Sequence, residues 1–440
     1  MAQDISIKSI RKPLKSVALR IKQLEDPVVV CHIDADGISS GAVMANALKK
    51  LGKHFEVMPV KQLDPTVYDS IPWDRDLIFV DLGSGQIEKT EGHVIIDHHQ
   101  PVKPAKHQLN THYLGLEGGP QAISASMLSY LVSRELIGDN RMAEAAVVGM
   151  VGDQMTRRPI SGLARIPVNT KWVEARKGLK YFGRETRPLS VFMKYMSEPF
   201  LPGLSGNMGA CYDFLKKIKL EPNDTYHMLS KKEKERFHSE LIKYGAKHGV
   251  KVHRMLGEYY VLPKRPKTTE MRDCSEFSTL LNACGRHDRP DIGIKIMLGE
   301  DVYEEAKKLL RIHRMLLARG MEELEEEGVV QFRNFQLFES DSIKPTIIGI
   351  VAGIAISSRV VSPLKPIIAI VPTEGGYKVS GRATLDLVEM GVNLGKAMRE
   401  ATGKGEEGGG HDIAAGAFVE EGGLKSFLLK MDKALGRQLR

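Results

Sequence analysis

The sequence contains few cysteines, few tryptophans and no long apolar run. Its 440 residues include 4 Cys and 2 Trp. No two cysteines are spaced as C-x-x-C, so we expect neither a disulfide framework nor a cysteine-based zinc site, and a reducing cytoplasm is the expected location. No stretch of about 18 apolar residues is present, and the amino-terminal region lacks the apolar core of a signal peptide. We therefore expect neither a membrane span nor secretion.

Length and composition indicate a folded protein of several domains. At about 100–200 residues per domain, 440 residues make about two to four domains. With 42% hydrophobic and 27% charged residues, the composition is that of an ordinary globular protein. Lys and Arg number 63 against 55 Asp and Glu, a formal net charge of +8. This excess hints at a polyanionic partner, but a membrane surface or simple solubility would explain it equally well.

Short β-branched runs alternate with helical patterns in the first third of the chain. The runs at 27–37, 76–85 and 92–100 each end in Asp, His or Gly, and residues 39–52 and 119–136 have helical spacing. This alternation predicts a parallel α/β sheet. In such sheets ligands bind beyond the carboxyl ends of the strands, where the acidic clusters of this sequence lie.

The remainder of the chain differs from the first third in charge and in its predicted secondary structure. Residues 157–198 contain ten Lys or Arg against three Glu, and residues 241–272 contain eight against two. A long amphipathic helix is predicted at 301–327, and strands, helices and a glycine cluster follow it. We predict two lobes, in which an inserted, mainly helical basic region and a connector helix join a first domain to a smaller α/β domain. The predicted boundaries are 1–156, 157–300, 301–330 and 331–440.

His32, Asp34 and Asp36 form the first cluster of candidate ligands. Alternate residues of an extended chain point the same way, so these three side chains can converge at one strand end. A divalent cation would offset the cost of burying them, and mixed imidazole and carboxylate ligands suit manganese better than calcium. The alternative is structural: Asp36-Gly37 forms a tight turn and Asp34 caps the next helix. The cluster by itself does not decide between the two.

Three more acidic sites follow at the ends of predicted elements. They are Asp81, the run Asp97-His98-His99, and Asp153. Together with the first cluster they supply roughly seven oxygen or imidazole ligands, enough for two metals that share a carboxylate. Two metals at ~3.5–4 Å can activate a water and stabilise the leaving oxygen of a phosphoester. Phosphoester hydrolysis is therefore the chemistry that this set predicts.

A candidate phosphate site lies near the carboxyl terminus. Gly408, Gly409 and Gly410 precede His411, and glycines let backbone N–H groups approach an anion closely. Ser380 and Arg382 lie on a predicted strand, and a guanidinium matches a phosphate.

These motifs, in this order, resemble the DHH phosphoesterase superfamily, which is named for the motif that stands here as Asp97-His98-His99. Within the superfamily the chain is most similar to the RecJ-like nucleases, particularly the archaeal branch. The resemblance covers both ends of the chain. Its motifs are HIDADG at 32–37, DHHQ at 97–100, GMVGDQ at 149–154, EFSTLLNACGR at 276–286, GIVAG at 349–353, SGRAT at 380–384 and GGGHDIAAGAF at 408–418.

The resemblance implies two Mn²⁺ ions, with Mg²⁺ as the alternative, bridged by Asp81. One ion would be held by His32, Asp34 and Asp81, and the other by Asp36, Asp81, His98 and Asp153. Bacterial RecJ proteins usually have an aspartate where His32 stands, so His32 departs from their pattern.

The resemblance also implies which residues act on the substrate. Asp97, His98 and His99 would be catalytic, with His99 beside the nucleophilic water or the scissile phosphate. The substrate's phosphates or terminal nucleotide would be bound by Ser380, Arg382, Gly408, Gly409, Gly410 and His411.

The resulting hypothesis is a manganese-dependent exonuclease of single-stranded DNA, or of RNA, acting in DNA repair or replication. A replication or repair protein, such as a helicase, is the expected protein partner. The basic middle of the chain, including Arg157, Arg158, Lys264 and Arg265, is expected to follow the nucleic-acid backbone. Two alternatives are a DHH phosphodiesterase of short oligonucleotides or cyclic dinucleotides, and a noncatalytic replisome scaffold.

Overall fold

A computed structural model of the protein describes residues 6–117, 121–157, 159–402 and 408–439. The chain divides into two compact units. One extends to Phe192 and also contains Phe214–Leu310; the other contains Met193–Asp213 and the residues from Arg311 onwards. Within the described ranges, no helix is both long and apolar enough to cross a lipid bilayer.

The first unit is built on a parallel sheet of strands β1 to β5, in the spatial order β2-β1-β3-β4-β5. This confirms the predicted parallel α/β fold. The strands are Val28–His32, Glu56–Val60, Leu77–Val80, Val94–Asp97 and Gln108–Asn110. Helices α1 to α7 are Ile7–Gln23, Ala35–Lys50, Pro65–Tyr68, Ile87–Thr90, Thr111–Leu114, Ala125–Ile137 and Ala143–Gly152.

Both faces of this sheet are covered, which explains why its three inner strands, β1, β3 and β4, are apolar along nearly all of their length. On β1, Val29 and Cys31 belong to the core that contains α1, α2, α6 and α7. Val28 and Val30 point to the other face and pack in a smaller core with β3. Helix α2 is buried along nearly all of its length, and its buried residues are mostly small or apolar.

Helix α1 begins seven residues earlier than the spacing predicted. The apolar positions of residues 14–25 have helical spacing and predict a helix that starts at about residue 14, but the helix runs from Ile7 through Pro13. Because Pro13 lies in the second turn, it removes one backbone hydrogen bond without ending the helix. The corrected helix brings a further set of basic residues into regular structure.

The middle of the chain is helical, as predicted, and also contains an antiparallel ribbon. Strands β6 and β7 pair from Glu174↔Val261 to Leu179↔Leu256. In chain order the elements are β6 (Glu174–Leu179), α8 (Leu189–Lys194), α9 (Met208–Lys217), α10 (Lys231–Lys247), β7 (Leu256–Val261), α11 (Cys274–Arg286) and α12 (Pro290–Leu298). The predicted connector is α13 (Tyr303–Glu327), which contributes residues to both units.

The carboxyl-terminal unit contains a mixed sheet in the order β12-β13-β11-β10-β9-β8, in which only β9 and β10 are parallel. Its strands β8 to β13 are Val330–Gln331, Gln336–Glu339, Ile367–Thr373, Gly376–Arg382, Gly408–Gly410 and Ala414–Glu420. Its helices α14 to α17 are Ile348–Ser357, Leu385–Glu389, Leu394–Ala401 and Leu424–Gln438. A separate apolar core lies between the sheet and these helices.

A buried ionic network attaches the segment after β6 to α11. The Arg184 guanidinium lies 2.7 Å from Asp273, and both side chains are almost completely buried. Glu276, one turn further along α11, is fully buried and accepts hydrogen bonds from the Glu185 amide and the Thr186 hydroxyl. Burial, with Asp273 nearby, raises the pKa of Glu276 to about 7.

This raised pKa predicts a pH-dependent stability. Glu276 ionises near 4.5 in the unfolded chain but resists ionisation in the folded one until about pH 7, so the folded state loses stability as pH rises between these values. Glu276→Gln removes that loss. Relative to wild type, the variant should gain about 2–3 kcal/mol of unfolding free energy between pH 4.5 and 8.

Denaturant unfolding at several pH values measures the difference. The control is Glu300→Gln, because Glu300 is exposed and its substitution should leave the pH profile unchanged. Parallel pH profiles for wild type and Glu276→Gln would contradict the prediction.

Candidate metal centre

The first ligand cluster lies at the junction of β1 and α2. His32 ends the strand and Asp34 is the N-cap of the helix. Asp34 Oδ1 accepts hydrogen bonds from the amides of Asp36 (3.1 Å) and Gly37 (2.9 Å), whereas Oδ2 lies 3.0 Å from His32 Nδ1. Asp34 therefore fills the capping role with one oxygen and can act as a ligand with the other. The predicted tight turn at Asp36-Gly37 is wrong, because α2 has already begun at Ala35.

Asp36 is fully buried in the first turn of α2 and is held by the amino end of α6. Its carboxylate accepts hydrogen bonds from the Ser124 hydroxyl (2.6 Å), the Ala125 amide (2.9 Å) and the Ser126 amide (3.2 Å). Burial raises the pKa of Asp36 well above its usual range, and Asp81 and Asp153 add to the rise. The protein thus holds Asp36 at a place where two other carboxylates disfavour its charge.

Asp81 follows β3 and occupies the middle of the site. Its φ of +63° is in the left-handed region, a conformation that costs a residue with a side chain about 1–3 kcal/mol. Its amide donates to the Ile96 carbonyl at 3.0 Å, which fixes this backbone against β4. Asp81 Oδ2 lies 3.5 Å from His32 Nδ1, and Oδ1 lies 3.2 Å from His98 Nε2. One carboxylate therefore faces both histidines.

The Asp97-His98-His99 run ends β4, and its members have different surroundings. The His98 ring is buried, and its Nε2 lies 3.1 Å from Asp153 Oδ2 as well as near Asp81. Burial lowers the pKa of His98, but Asp153 and Asp81 raise it by more, so the pKa lies well above its usual range. The His99 side chain is 55% exposed, so it borders the site from the solvent side.

Asp97 lies behind the candidate ligands. Its Oδ1 accepts hydrogen bonds from the His98 amide (2.7 Å) and lies 2.8 Å from His99 Nδ1, while Oδ2 accepts from the Ser84 amide (3.0 Å). Burial raises the pKa of Asp97, but His99 and His98 lower it by more, to well below its usual range. Asp97 is therefore an ionised residue that positions the histidines, whereas the resemblance grouped it with the catalytic residues.

The candidate ligands form two groups that share Asp81. Within each group the potential ligand atoms lie within 4.8 Å of one another. The groups are His32, Asp34 and Asp81, and Asp36, Asp81, His98 and Asp153; a third combination joins Asp81 and His98 to His99. These are the same two sets that the resemblance implied.

Unsatisfied buried atoms show that this site fits a bound cation. Within the described part of the chain, His32 Nδ1, both carboxylate oxygens of Asp81 and Asp153 Oδ2 are buried and make no hydrogen bond of good geometry. The short contacts of His32 Nδ1 with Asp34 (3.0 Å) and of Asp153 Oδ2 with His98 (3.1 Å) therefore bring ligand atoms together without satisfying them. Buried polar atoms of this kind are rare and costly, and a divalent cation would satisfy all four. The mixture of imidazole nitrogen and carboxylate oxygen suits a manganese-like ion.

Helix α11 supports the junction of β1 and α2, which carries the first ligand cluster. The sequence pattern did not predict this contact. Asn282 Oδ1 accepts the Ala35 amide hydrogen at 2.9 Å, and Gly285 packs so closely that a Cβ there would lie 1.8 Å from the Ile33 carbonyl oxygen. Arg286 is half-buried; burial lowers its pKa and Asp34 opposes this. The only sequence signal was the resemblance at 276–286, because about 250 residues separate the two segments.

The predicted phosphate-site residues lie together in the carboxyl-terminal unit. Ser380 and Arg382 are on β11, which pairs with β13, and β13 pairs with the glycines of β12. The glycine cluster forms the edge strand of the sheet. Gly349 of α14 lies against this site: a Cβ there would lie 2.6 Å from Arg382 Nη2 and 3.1 Å from Ser380 Oγ. His411 follows the edge strand directly, and its amide donates to the Ala414 carbonyl.

The basic middle of the chain contains several arginines that are already paired. Arg265 Nε lies 2.6 Å from Glu144, and its other nitrogens donate to the Ile296 and Met297 carbonyls at the end of α12. Arg265 is therefore already paired within the fold, and these contacts count against a role for it in following a nucleic-acid backbone. Arg158 lies outside the described residues.

Comparison with known protein families identifies three regions of the chain. Residues 27–150 match the DHH family, N-terminal domain. Residues 181–256 match the DHH-CID domain, and residues 330–437 match the DHHA1 domain. The chain is also 31% identical over 459 residues to the uncharacterized protein MJ0831 of Methanocaldococcus jannaschii, covering 99% of each chain.

Solved structures with this fold include RecJ and CDC45. RecJ from Thermus thermophilus, in complex with Mn²⁺, has a TM-score of 0.59 and 16% identity, covering 98% of this chain and 55% of that one. The chain thus spans about half the length of that RecJ, which has also been solved with Mg²⁺. CDC45 from Entamoeba histolytica has a TM-score of 0.63 and 13% identity, covering 98% and 99%. At these identities the likeness shows the fold alone.

The geometry predicts the metal stoichiometry of single variants. Wild type should bind two Mn²⁺ ions, His32→Ala one, and Asp81→Asn neither with measurable affinity, because Asp81 alone belongs to both groups. Asp97→Asn should still bind two ions, since Asp97 belongs to neither group. Isothermal titration calorimetry, or electron paramagnetic resonance of free Mn²⁺, gives the counts.

A second measurement tests the same site without metal. Asp81→Asn removes one of several crowded, buried carboxylates, so in chelator it should unfold at a higher temperature than wild type. A variant that still binds two ions, or that is less stable than wild type in chelator, would contradict the assigned role of Asp81.

Proposed function

This chain belongs to the DHH phosphoesterase family and has the RecJ-like fold, and we propose that it is an exonuclease of single-stranded nucleic acid. We propose manganese as its metal, single-stranded DNA as the preferred substrate with RNA as the alternative, and DNA repair or replication as its setting. The observation that carries the proposal is the pair of ligand groups around Asp81, with their unsatisfied buried atoms. Two divalent ions held there would activate water and stabilise a leaving phosphoester oxygen.

His99 can hold or transfer a proton beside that site, and Asp97 orients its ring. Because His99 Nδ1 is bonded to Asp97, its Nε2 is the ring nitrogen left to hold or transfer a proton at the substrate phosphate. Asp97 fixes the ring orientation and favours the charged imidazole, and His99 is half exposed where a substrate would enter. We propose His99 as the residue that contacts the scissile phosphate.

The carboxyl-terminal residues support the proposed exonucleolytic mode. Ser380, Arg382 and the β12 glycines combine a hydroxyl, a guanidinium and close backbone approach, which together suit a phosphate at a strand terminus. Binding of a strand terminus by these residues is part of the proposed exonucleolytic mode. Arg286, close enough to Asp34 to interact electrostatically with it, is a further candidate for a phosphate contact.

Two other functions are weighed against this one. A noncatalytic scaffold with the CDC45-like fold has no need of a complete ligand set or of buried atoms left unsatisfied for a cation, and both are present here. A phosphodiesterase of very short oligonucleotides would use the same metal site. The length of the middle region and the exposed cations of α1 favour a longer substrate.

Digestion of end-labelled DNA and RNA with Mn²⁺ tests the proposal. Single-stranded substrates of about 25 nucleotides, each labelled at the 5′ or the 3′ end, should yield mononucleotides or short products from one end only. A dinucleotide substrate should be cleaved at least about tenfold less efficiently, by kcat/KM. Preferential cleavage of the dinucleotide would instead establish the short-substrate function.

Two variants separate metal binding from positioning. Asp81→Asn should abolish cleavage, and Asp97→Asn should reduce kcat by about 10²–10⁴, the usual contribution of a positioned acid or base, while both ions still bind. Asp301→Asn, at an exposed acid, is the control and should cleave like wild type. Full activity of Asp97→Asn with Mn²⁺ would overturn the assigned roles of Asp97 and His99.

A further inference from the structure

Helix α1 carries an unusually one-sided set of charges. Its 17 residues contain no Asp or Glu. Five of its basic residues are exposed, and they are Lys8, Arg11, Lys12, Lys15 and Lys22. With about 100° per residue, all five project within an arc of roughly 100°, whose centre is about 125° from the centre of the buried apolar stripe. The helix therefore presents one continuous basic face to solvent.

The five side chains have no polar partner within the described part of the chain. Among the described residues, no ion pair or side-chain hydrogen bond involves any of them, whereas Arg20 on the flank of the same helix pairs with Asp76 at 3.0 Å. Exposed cations elsewhere commonly have acidic neighbours, as Arg289 has in Asp291 and Arg437 in Glu400. Neighbouring Lys106, which lies before β5, is also exposed.

The basic face extends along the sheet toward the metal-bearing edge. Helix α1 packs on α6, β4 and β5. Its carboxyl-terminal half is at the amino ends of the strands, because Arg20 contacts Asp76, the residue before β3. Lys8 is twelve residues from Arg20, or about 18 Å along the axis. The amino-terminal cations therefore lie toward the edge where His32, Asp81 and Asp97 end their strands or follow them.

We propose that this basic face of α1 binds the phosphate backbone of a single-stranded nucleic acid. Unpaired exposed cations release counterions when they meet phosphates, and such contacts are insensitive to sequence. The helix is about 25 Å long, so a strand that follows it can place several phosphates within reach of its cations. Leu19, 59% exposed on the same face, adds an apolar contact for sugars or bases. The choice of nucleic acid as the polyanion rests on the proposed function.

The test compares two variants with the same change in net charge. The α1 variant carries Lys8→Gln, Arg11→Gln, Lys12→Gln, Lys15→Gln and Lys22→Gln. The control replaces five ion-paired cations with glutamine: Lys50, Lys61, Arg289, Lys307 and Arg437. Each variant loses five charges, from +8 to +3. Because all ten positions are at or near the surface, thermal unfolding should show both variants folded.

Binding is measured with a labelled 25-nucleotide single strand in chelator, so that no hydrolysis is needed. At about 0.1 M salt the α1 variant should bind at least about tenfold more weakly. The slope of log affinity against log salt should decrease by about 0.7 for each phosphate that the variant no longer neutralises. The control should bind less than about threefold more weakly. Equal weakening in the two variants, or none in the α1 variant, would overturn the proposal.

Two further readouts identify the ligand and separate this proposal from the proposed function. Hydrolysis of a trinucleotide with Mn²⁺ should be equal in wild type and α1 variant, because so short a substrate does not need α1. Loss of binding to phosphatidylserine vesicles, with binding of the oligonucleotide unchanged, would assign the face to a membrane and overturn the proposal. A wild type that binds the strand through α1 but cleaves nothing would overturn the proposed function alone.

Discussion

The repulsion among buried carboxylates at the carboxyl edge of the first sheet is the constraint on which this structure depends. Asp36, Asp81 and Asp153 converge on one small volume, and burial and mutual repulsion raise the pKa values of Asp36 and Asp153. Among the described residues, neither oxygen of Asp81 has a hydrogen bond, and its backbone is left-handed. A fold that keeps these groups together without a cation is less stable for it. Such a local loss of stability is typical of a site selected to bind a metal.

The surrounding elements prevent the carboxylates from separating. The amino end of α6 holds Asp36 through two amides and a hydroxyl, and α2 uses Asp34 as its cap. Asp97 secures both histidines of the run. Helix α11 holds the first residue of α2, because Asn282 accepts a hydrogen bond from the Ala35 amide. Asp34 keeps Oδ2 beside His32 while Oδ1 caps the helix, so the protein itself positions the ligands before a cation binds.

The residue types of the metal site could be predicted from the sequence, but the way each is held could not. A buried run that ends in an acid or histidine is visible locally, and the parallel sheet then brings such ends to one edge. The sequence pattern could not show that Asp34 both caps a helix and faces the site, since its two oxygens are indistinguishable in a pattern. Nor could it show that Asn282 supports Ala35, because that contact depends on how α11 packs about 250 residues later in the chain. The predicted start of α1, just after Pro13, was wrong, because a proline in the second turn of a helix and a proline just before a helix give similar sequence patterns.

The distribution of charge shows why a count of basic residues is a poor guide to where a polyanion binds. The middle of the chain contains two long stretches rich in Lys and Arg, yet Arg165, Arg176, Arg184 and Arg265 of these stretches all pair with acids. The planar guanidinium suits such fixed, multiple hydrogen bonds. The face of α1 is mostly lysine, a strongly hydrated point charge on a flexible stem, and within the described ranges these cations have no acidic partner. Only an unpaired cation exchanges small counterions for phosphates, so pairing, rather than number, decides which basic residues can hold a nucleic-acid strand.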